Sequence, residues 1–259
     1  MGYPEKNAPS RNQMNIIIAG DSYGCGVWEQ DGPVRHKGLE KYLTDNGHRV
    51  VNISESAISN LDIWKRLEIY FQRFPEQTAD IILVFQTEWH RDFKHVHSWT
   101  EVFTHKDWNE FDSVEEIESQ WISRFYTFLS ELTTRKSIPI YIIGGASDTM
   151  WFDDMSLHYP GCSIACQSIT NLLVHGNHRT SQPVFSCYSS PIQSNDLIKH
   201  IRSTIKSEHM ESFVDNLTRA YNRIMIQNEN PDHFWPDGNH PNEKGHWVLY
   251  NFLKDQKII

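Results

Sequence analysis

The chain has 259 residues, long enough for one large domain or two small ones with an ample core. Its formal net charge of −9 argues against a duplex nucleic-acid binder, which needs a basic face to meet phosphates. No apolar run approaches the ~18–20 residues that span a bilayer, and the polar start MGYPEKNAPSRNQM has no apolar core of a signal peptide, so a cytoplasmic location is expected.

Residues 1–14 read as a loosely docked arm, and residues 15–259 as a single domain. Ile16, Ile17 and Ile18 form an uninterrupted β-branched run, which suits a strand buried on both faces. Gly20 follows with a backbone able to turn sharply, and Asp21-Ser22 are residues that begin a helix. GLEKYLTDNGHR then reads as a helix stopped near Gly47, and RVVNIS as a second strand. In NLDIWKRLEIYFQRF, Leu61, Trp64, Leu67, Phe71 and Phe74 fall at three- and four-residue steps, the apolar stripe of an amphipathic helix. DIILVF is a third buried strand. SVEEIESQWISRFYTFLSELTTRK is a long helix with Ser113 as its N-cap and acidic residues in its first turn, and IPIYIIGG is a fourth strand.

This alternation predicts an α/β fold with a parallel sheet covered by helices on both faces. The stretch at about 146–195, rich in Ser, Cys, His and Pro, reads as an irregular insertion. A helical stretch over roughly 196–227 follows, then a Pro/Gly/Asn-rich loop and a closing helix from about Asn242. Cys25, Cys162, Cys166 and Cys187 make no disulfide framework in a chain of this size and read as reduced thiols. His90, His95 and His97 lack a zinc-type spacing with a matching partner, so no metal and no cofactor are expected.

In an open parallel sheet, ligands bind outside the carboxyl ends of the strands. Ser22 lies just past the end of strand one at a helix start, where its own backbone N–H is free to meet a developing oxyanion. A serine hydroxyl needs a base, and WPDGNHPNEKGH supplies Asp237 and His240, three residues apart in a loop entering the last helix. A turn followed by a helix cap would explain that loop equally well.

Together, GDSYGCG near one end and DGNHPNEKGH near the other resemble the first and last blocks of the SGNH (GDSL) hydrolase family. The resemblance implies a three-layer α/β/α sandwich of flavodoxin-like kind that hydrolyses esters or acetyl groups. It implies Ser22 as nucleophile, His240 as base and Asp237 as its orienter. The family's second block carries a glycine whose backbone N–H joins the oxyanion hole, and VVNISESAISN places Ala57 there. The third block carries an Asn side chain as donor, but strand three runs into FQTEWHRDF, which has none. This resembles a variant, seen in phage-type and other SGNH-like sequences, in which Thr or Ser followed by Arg replaces the block. Thr87 is then the expected third donor, with Arg91 and Trp89 as substrate-binding residues. The expected substrate is a small-molecule or saccharide ester, such as a saccharide carrying an acetyl or other short acyl group. A non-hydrolytic binding module and an acyltransferase are the alternatives.

Overall fold

A computed structural model describes residues 13–26, 37–92, 114–150, 154–185, 210–235 and 240–259. In chain order the elements are β1 (Asn15–Ala19), α1 (Ser22–Cys25), α2 (Leu39–Asp45), β2 (Arg49–Asn52), α3 (Asn60–Arg73) and β3 (Ile81–Gln86). A 3-10 turn (Trp89–Asp92) follows, then α4 (Val114–Lys136), β4 (Ile140–Gly144), α5 (Met155–His158), β5 (Cys162–Cys166), α6 (Ile169–His175), α7 (Met210–Asn228) and α8 (Glu243–Asp255).

The five strands form one parallel sheet in the order β2-β1-β3-β4-β5. Successive strand residues point to opposite faces, so each strand feeds two cores. Ile17, Ala19, Ile82, Val84, Ile140 and Ile142 pack with Ile63 and Leu67 of α3, Phe125 and Leu129 of α4, and Ala220 of α7. Ile16, Ile18, Leu83, Phe85 and Ile143 pack instead with Leu39 and Leu43 of α2, Leu172 of α6 and Leu249 of α8. The result is a three-layer α/β/α sandwich. Each fully buried isoleucine or leucine contributes about 1.5–3 kcal/mol relative to exposure, which is why uninterrupted apolar runs fold as the central strands.

The segment read as an irregular insertion corrects that expectation, because it contributes β5 and α6. CSIAC pairs with β4 through a register shift between Ile142 and Ile143, and this broken pairing has no simple alternation to betray it. Phe74, expected in the α3 stripe, sits at the helix C-cap and is half-exposed. Ser113 and all of 196–209 lie outside the described residues, and the helix read there is observed over Met210–Asn228.

The strand order reverses between β1 and β3: the chain leaves β1 toward β2 on one side and leaves β3 toward β4 on the other. In open parallel sheets the carboxyl ends of the strands at such a reversal are where ligands bind.

Candidate active site

Ser22 owes its place to the way β1 ends. A Cβ on Gly20 would fall 2.7 Å from Phe85 Cβ, so only glycine lets the end of β1 run this close to β3. Asp21 then caps α1, its Oδ1 accepting from the Tyr23 amide at 3.0 Å. The Asp21 carbonyl accepts from the amides of Gly24 (3.1 Å) and Cys25 (3.0 Å), and the Gly26 amide donates to the Ser22 carbonyl at 3.2 Å. Every amide of this turn from Tyr23 to Gly26 is thus used, whereas that of Ser22 has no acceptor among the described residues.

His240 is delivered from the far end of the chain. Phe234 and Pro241 form an antiparallel bridge, with the Trp235 amide donating to the His240 carbonyl and the Asn242 amide to the His233 carbonyl, both at 2.9 Å. Asn242 caps α8 through Gly245, and its side-chain amide donates to the carbonyls of Asp232 and Phe234. The imidazole packs against the Tyr23 ring at 5.2 Å between centroids and places Nε2 3.1 Å from Ser22 Oγ. The structure therefore brings together two of the three residues expected to form a triad. Asp237 lies outside the described residues.

Ala57 stands in the loop between β2 and α3, exposed, with φ at +63°. This left-handed conformation costs a non-glycine residue roughly 1–2 kcal/mol. The alanine therefore holds the backbone shape that glycine would adopt easily. Its amide has no acceptor among the described residues.

The loop after β3 departs from expectation. Thr87 is fully buried, and its hydroxyl donates to Asp21 Oδ2 at 2.7 Å, so its one hydroxyl proton is committed. Its backbone is held by Asn60, whose side chain accepts from the Thr87 amide and donates to the Thr87 carbonyl, each at 2.9 Å. The Ser147 hydroxyl also donates to that carbonyl, at 3.0 Å. Trp89 is a core residue, fully buried with its indole N–H donating to Glu118 Oε1 at 2.9 Å, which removes it from any substrate surface. Arg91 is about one-quarter exposed; its Nε donates to Glu88 Oε2 at 2.6 Å and its Nη1 lies 3.8 Å from Asp21 Oδ2.

Asp21 is wholly buried, and burial pushes its carboxyl above the usual carboxylate range against the opposing pull of Arg91, Thr87 and the Tyr23 amide. Burial also raises the Cys25 thiol, which keeps it protonated and a poor nucleophile. Sequence reasoning passed over Asp21 as more than a cap, and missed Asn60 altogether. The available signal was Asn60 standing directly after Ser59, which already caps α3 by accepting from the Asp62 amide, so the Asn is surplus to capping.

Among the described residues, no group of three or more His, Cys, Asp or Glu could hold a metal ion, and no helix is long and apolar enough to cross a membrane. The side chain of His90 and all of His95 and His97 lie outside them.

No family model and no curated protein matches the sequence. Among solved structures, the chain is similar to the psychrotrophic esterase EstA from Pseudoalteromonas sp., with 12% identity, TM-score 0.43, and 94% of this chain and 96% of that one covered. It is also similar to the acetyl xylan esterase Axe2 from Geobacillus stearothermophilus (14%, TM-score 0.39, 93% and 94% covered). A lipase/acylhydrolase from Enterococcus faecalis matches at 12% identity and TM-score 0.39, covering 93% and 94%. Likenesses this distant carry no chemical argument, and the site stands on its own residues.

Proposed function

We propose that the chain is a serine ester hydrolase of SGNH type, working through an acyl-enzyme on Ser22. The observation that carries this reading is the 3.1 Å contact between Ser22 Oγ and His240 Nε2, just past the carboxyl end of β1 where the strand order reverses. Ser22 Oγ attacks the ester carbonyl carbon while His240 Nε2 takes the hydroxyl proton. Collapse of the tetrahedral intermediate breaks the bond to the alcohol, which leaves with that proton. Water, deprotonated by the same imidazole, then attacks the acyl-enzyme and releases the acid. Asp237, three residues before His240, takes the orienting role.

The amides of Ser22 and Ala57 supply two oxyanion donors, since neither is spent within the fold among the described residues. Thr87 does not fill the third place in this reading, because its proton goes to Asp21. Arg91, partly exposed and 3.8 Å from the Asp21 carboxyl, grips a polar or anionic part of the substrate. Short acyl groups on a saccharide are the proposed substrate class.

The test is intact-mass analysis after treatment with a fluorophosphonate: one covalent adduct on Ser22, with hydrolysis of p-nitrophenyl acetate, is the expected result. Absence of both leaves the rival reading, a binding module, which the commitment of the Thr87 hydroxyl favours. Acyl transfer shares the acyl-enzyme and is distinguished by adding a sugar alcohol and following product partition.

A further inference from the structure

We propose that Asp21 is a positioning residue for the reaction: its carboxylate, braced by the Thr87 hydroxyl, fixes the peptide between Asp21 and Ser22 so that the Ser22 N–H faces the developing oxyanion. The proposal rests on the hydrolase reading above and assigns Thr87 a different task from the donor role expected of it.

The peptide is held from two sides. In a trans peptide the C=O and N–H point in opposite directions. The Asp21 carbonyl points into α1, where Gly24 and Cys25 donate to it, so the Ser22 N–H points out of the helix. The Asp21 side chain pins the other side through Tyr23 at 3.0 Å and Thr87 at 2.7 Å. Thr87 can act as a strut because Asn60 and Ser147 hold its own backbone. A chain of fixed contacts thus runs from α3 and the loop after β4 to the residue preceding the nucleophile.

Capping does not require this carboxylate. A four-residue helix is capped as well by Asn or Ser, which carry no charge. Here a fully buried acid stands where a neutral cap would serve, although burial penalises its charge, with Glu88 a second buried acid close by and Arg91 bridging the two. For capping alone, the neutral amide avoids the cost of a buried charge. The acid supplies two acceptor oxygens, one for the Tyr23 amide and one for the Thr87 hydroxyl, where an amide would supply one.

The test uses the full chain and three substitutions. Asp21→Asn should fold with a Tm at pH 7 no lower than that of the wild type, while kcat on p-nitrophenyl acetate falls about 10- to 100-fold and KM stays within twofold. Thr87→Val should lower kcat to a similar extent, and Thr87→Ser, which restores the hydroxyl, should recover most of it. Because both act on one peptide, the double variant Asp21→Asn with Thr87→Val should be no slower than the slower single. The rate of fluorophosphonate labelling should follow kcat through the series. The proposal is overturned by an Asp21→Asn enzyme with wild-type kcat, by losses that multiply in the double variant, or by a kcat loss matched by a fall in Tm. Should Asp21→Asn not fold, the Val and Ser variants at position 87 still decide: equal rates in both overturn it. A wild type that neither labels nor hydrolyses removes the hydrolase reading and this proposal with it, whereas an active wild type indifferent to these changes removes the proposal alone.

Discussion

Asn60 holds Thr87 by both of its backbone groups, accepting from the amide and donating to the carbonyl at 2.9 Å each. Both residues are buried, so no water waits to replace either bond. Asn60→Ala leaves the Thr87 amide without its acceptor, at a cost of about 2–3 kcal/mol. Thermal unfolding should show a Tm lower by roughly 4–10 °C, and an unchanged Tm would rule the clamp out as a stabilising element.

The contact between Ser22 and His240 makes a sharper demand. Ser22→Ala should abolish fluorophosphonate labelling and lower ester hydrolysis by at least ~10³-fold, and His240→Ala should slow both to a comparable degree. The double variant should be no worse than either single, since the two act as one unit. An Ser22→Ala protein that keeps most of its activity would end the serine-hydrolase reading.

Asp92 provides a test in pH. Its Oδ1 accepts from the Leu61 amide at 2.7 Å in the first turn of α3, yet burial pushes its carboxyl up to about 6. A raised folded-state pKa means that the acid is favoured when protonated. Its stabilising contribution is complete below the ordinary carboxylate range and is lost as pH rises through about 6. Asp92→Asn keeps an acceptor and cannot ionise. Its stability relative to wild type should therefore grow between pH 4 and pH 7, by on the order of 3 kcal/mol. Urea unfolding at several pH values reads this directly; a difference that does not vary with pH contradicts it.

Arg223 and Asp148 form an ion pair at 2.9 Å, each side chain only 4% exposed, joining α7 to the loop after β4. Asp148 also accepts from the Val184 amide, and Arg223 donates to the Gly145 carbonyl. Arg223→Ala strands a buried carboxylate and should cost about 3–5 kcal/mol. Arg223→Lys should recover little, because an ammonium cannot reproduce the fork that reaches two acceptors. Full stability in the lysine variant would show that charge alone suffices.

How much of this was legible in the sequence depends on whether the signal was local. β1, β3 and β4 announce themselves because each is a compact apolar run buried almost throughout. β2 is an edge strand of exposed and half-buried residues, marked only by its two valines after the helix stop at Gly47. The fifth strand does not announce itself, because CSIAC is short, mixed and paired across a register shift. Ser22 and His240 stand out because glycines, prolines and caps mark a strand end and a helix start. The direction of the Thr87 hydroxyl was not legible: it depends on Asp21, 66 residues earlier, which no spacing rule connects to it. Trp89 misled for a related reason. It stands in the loop expected to bind substrate, and only its hydrogen bond to the buried Glu118 on α4 reveals its inward orientation.

The pairing of positions 22 and 240 spans 218 residues, and this bears on when the chain becomes competent. Closing a loop of that length costs on the order of 5 kcal/mol in chain entropy, so the two halves meet only after other packing has drawn them together. That packing is the docking of α8 onto α2 and α6, fastened by the Tyr42 hydroxyl on the Glu243 carbonyl at 2.9 Å. On the hydrolase reading, the serine emerges early during synthesis and stays inert until α8 is made. On that reading a ribosome-bound or C-terminally clipped chain carries a nucleophile with no base, and recovery of activity on refolding should time the seating of α8 rather than formation of the sheet.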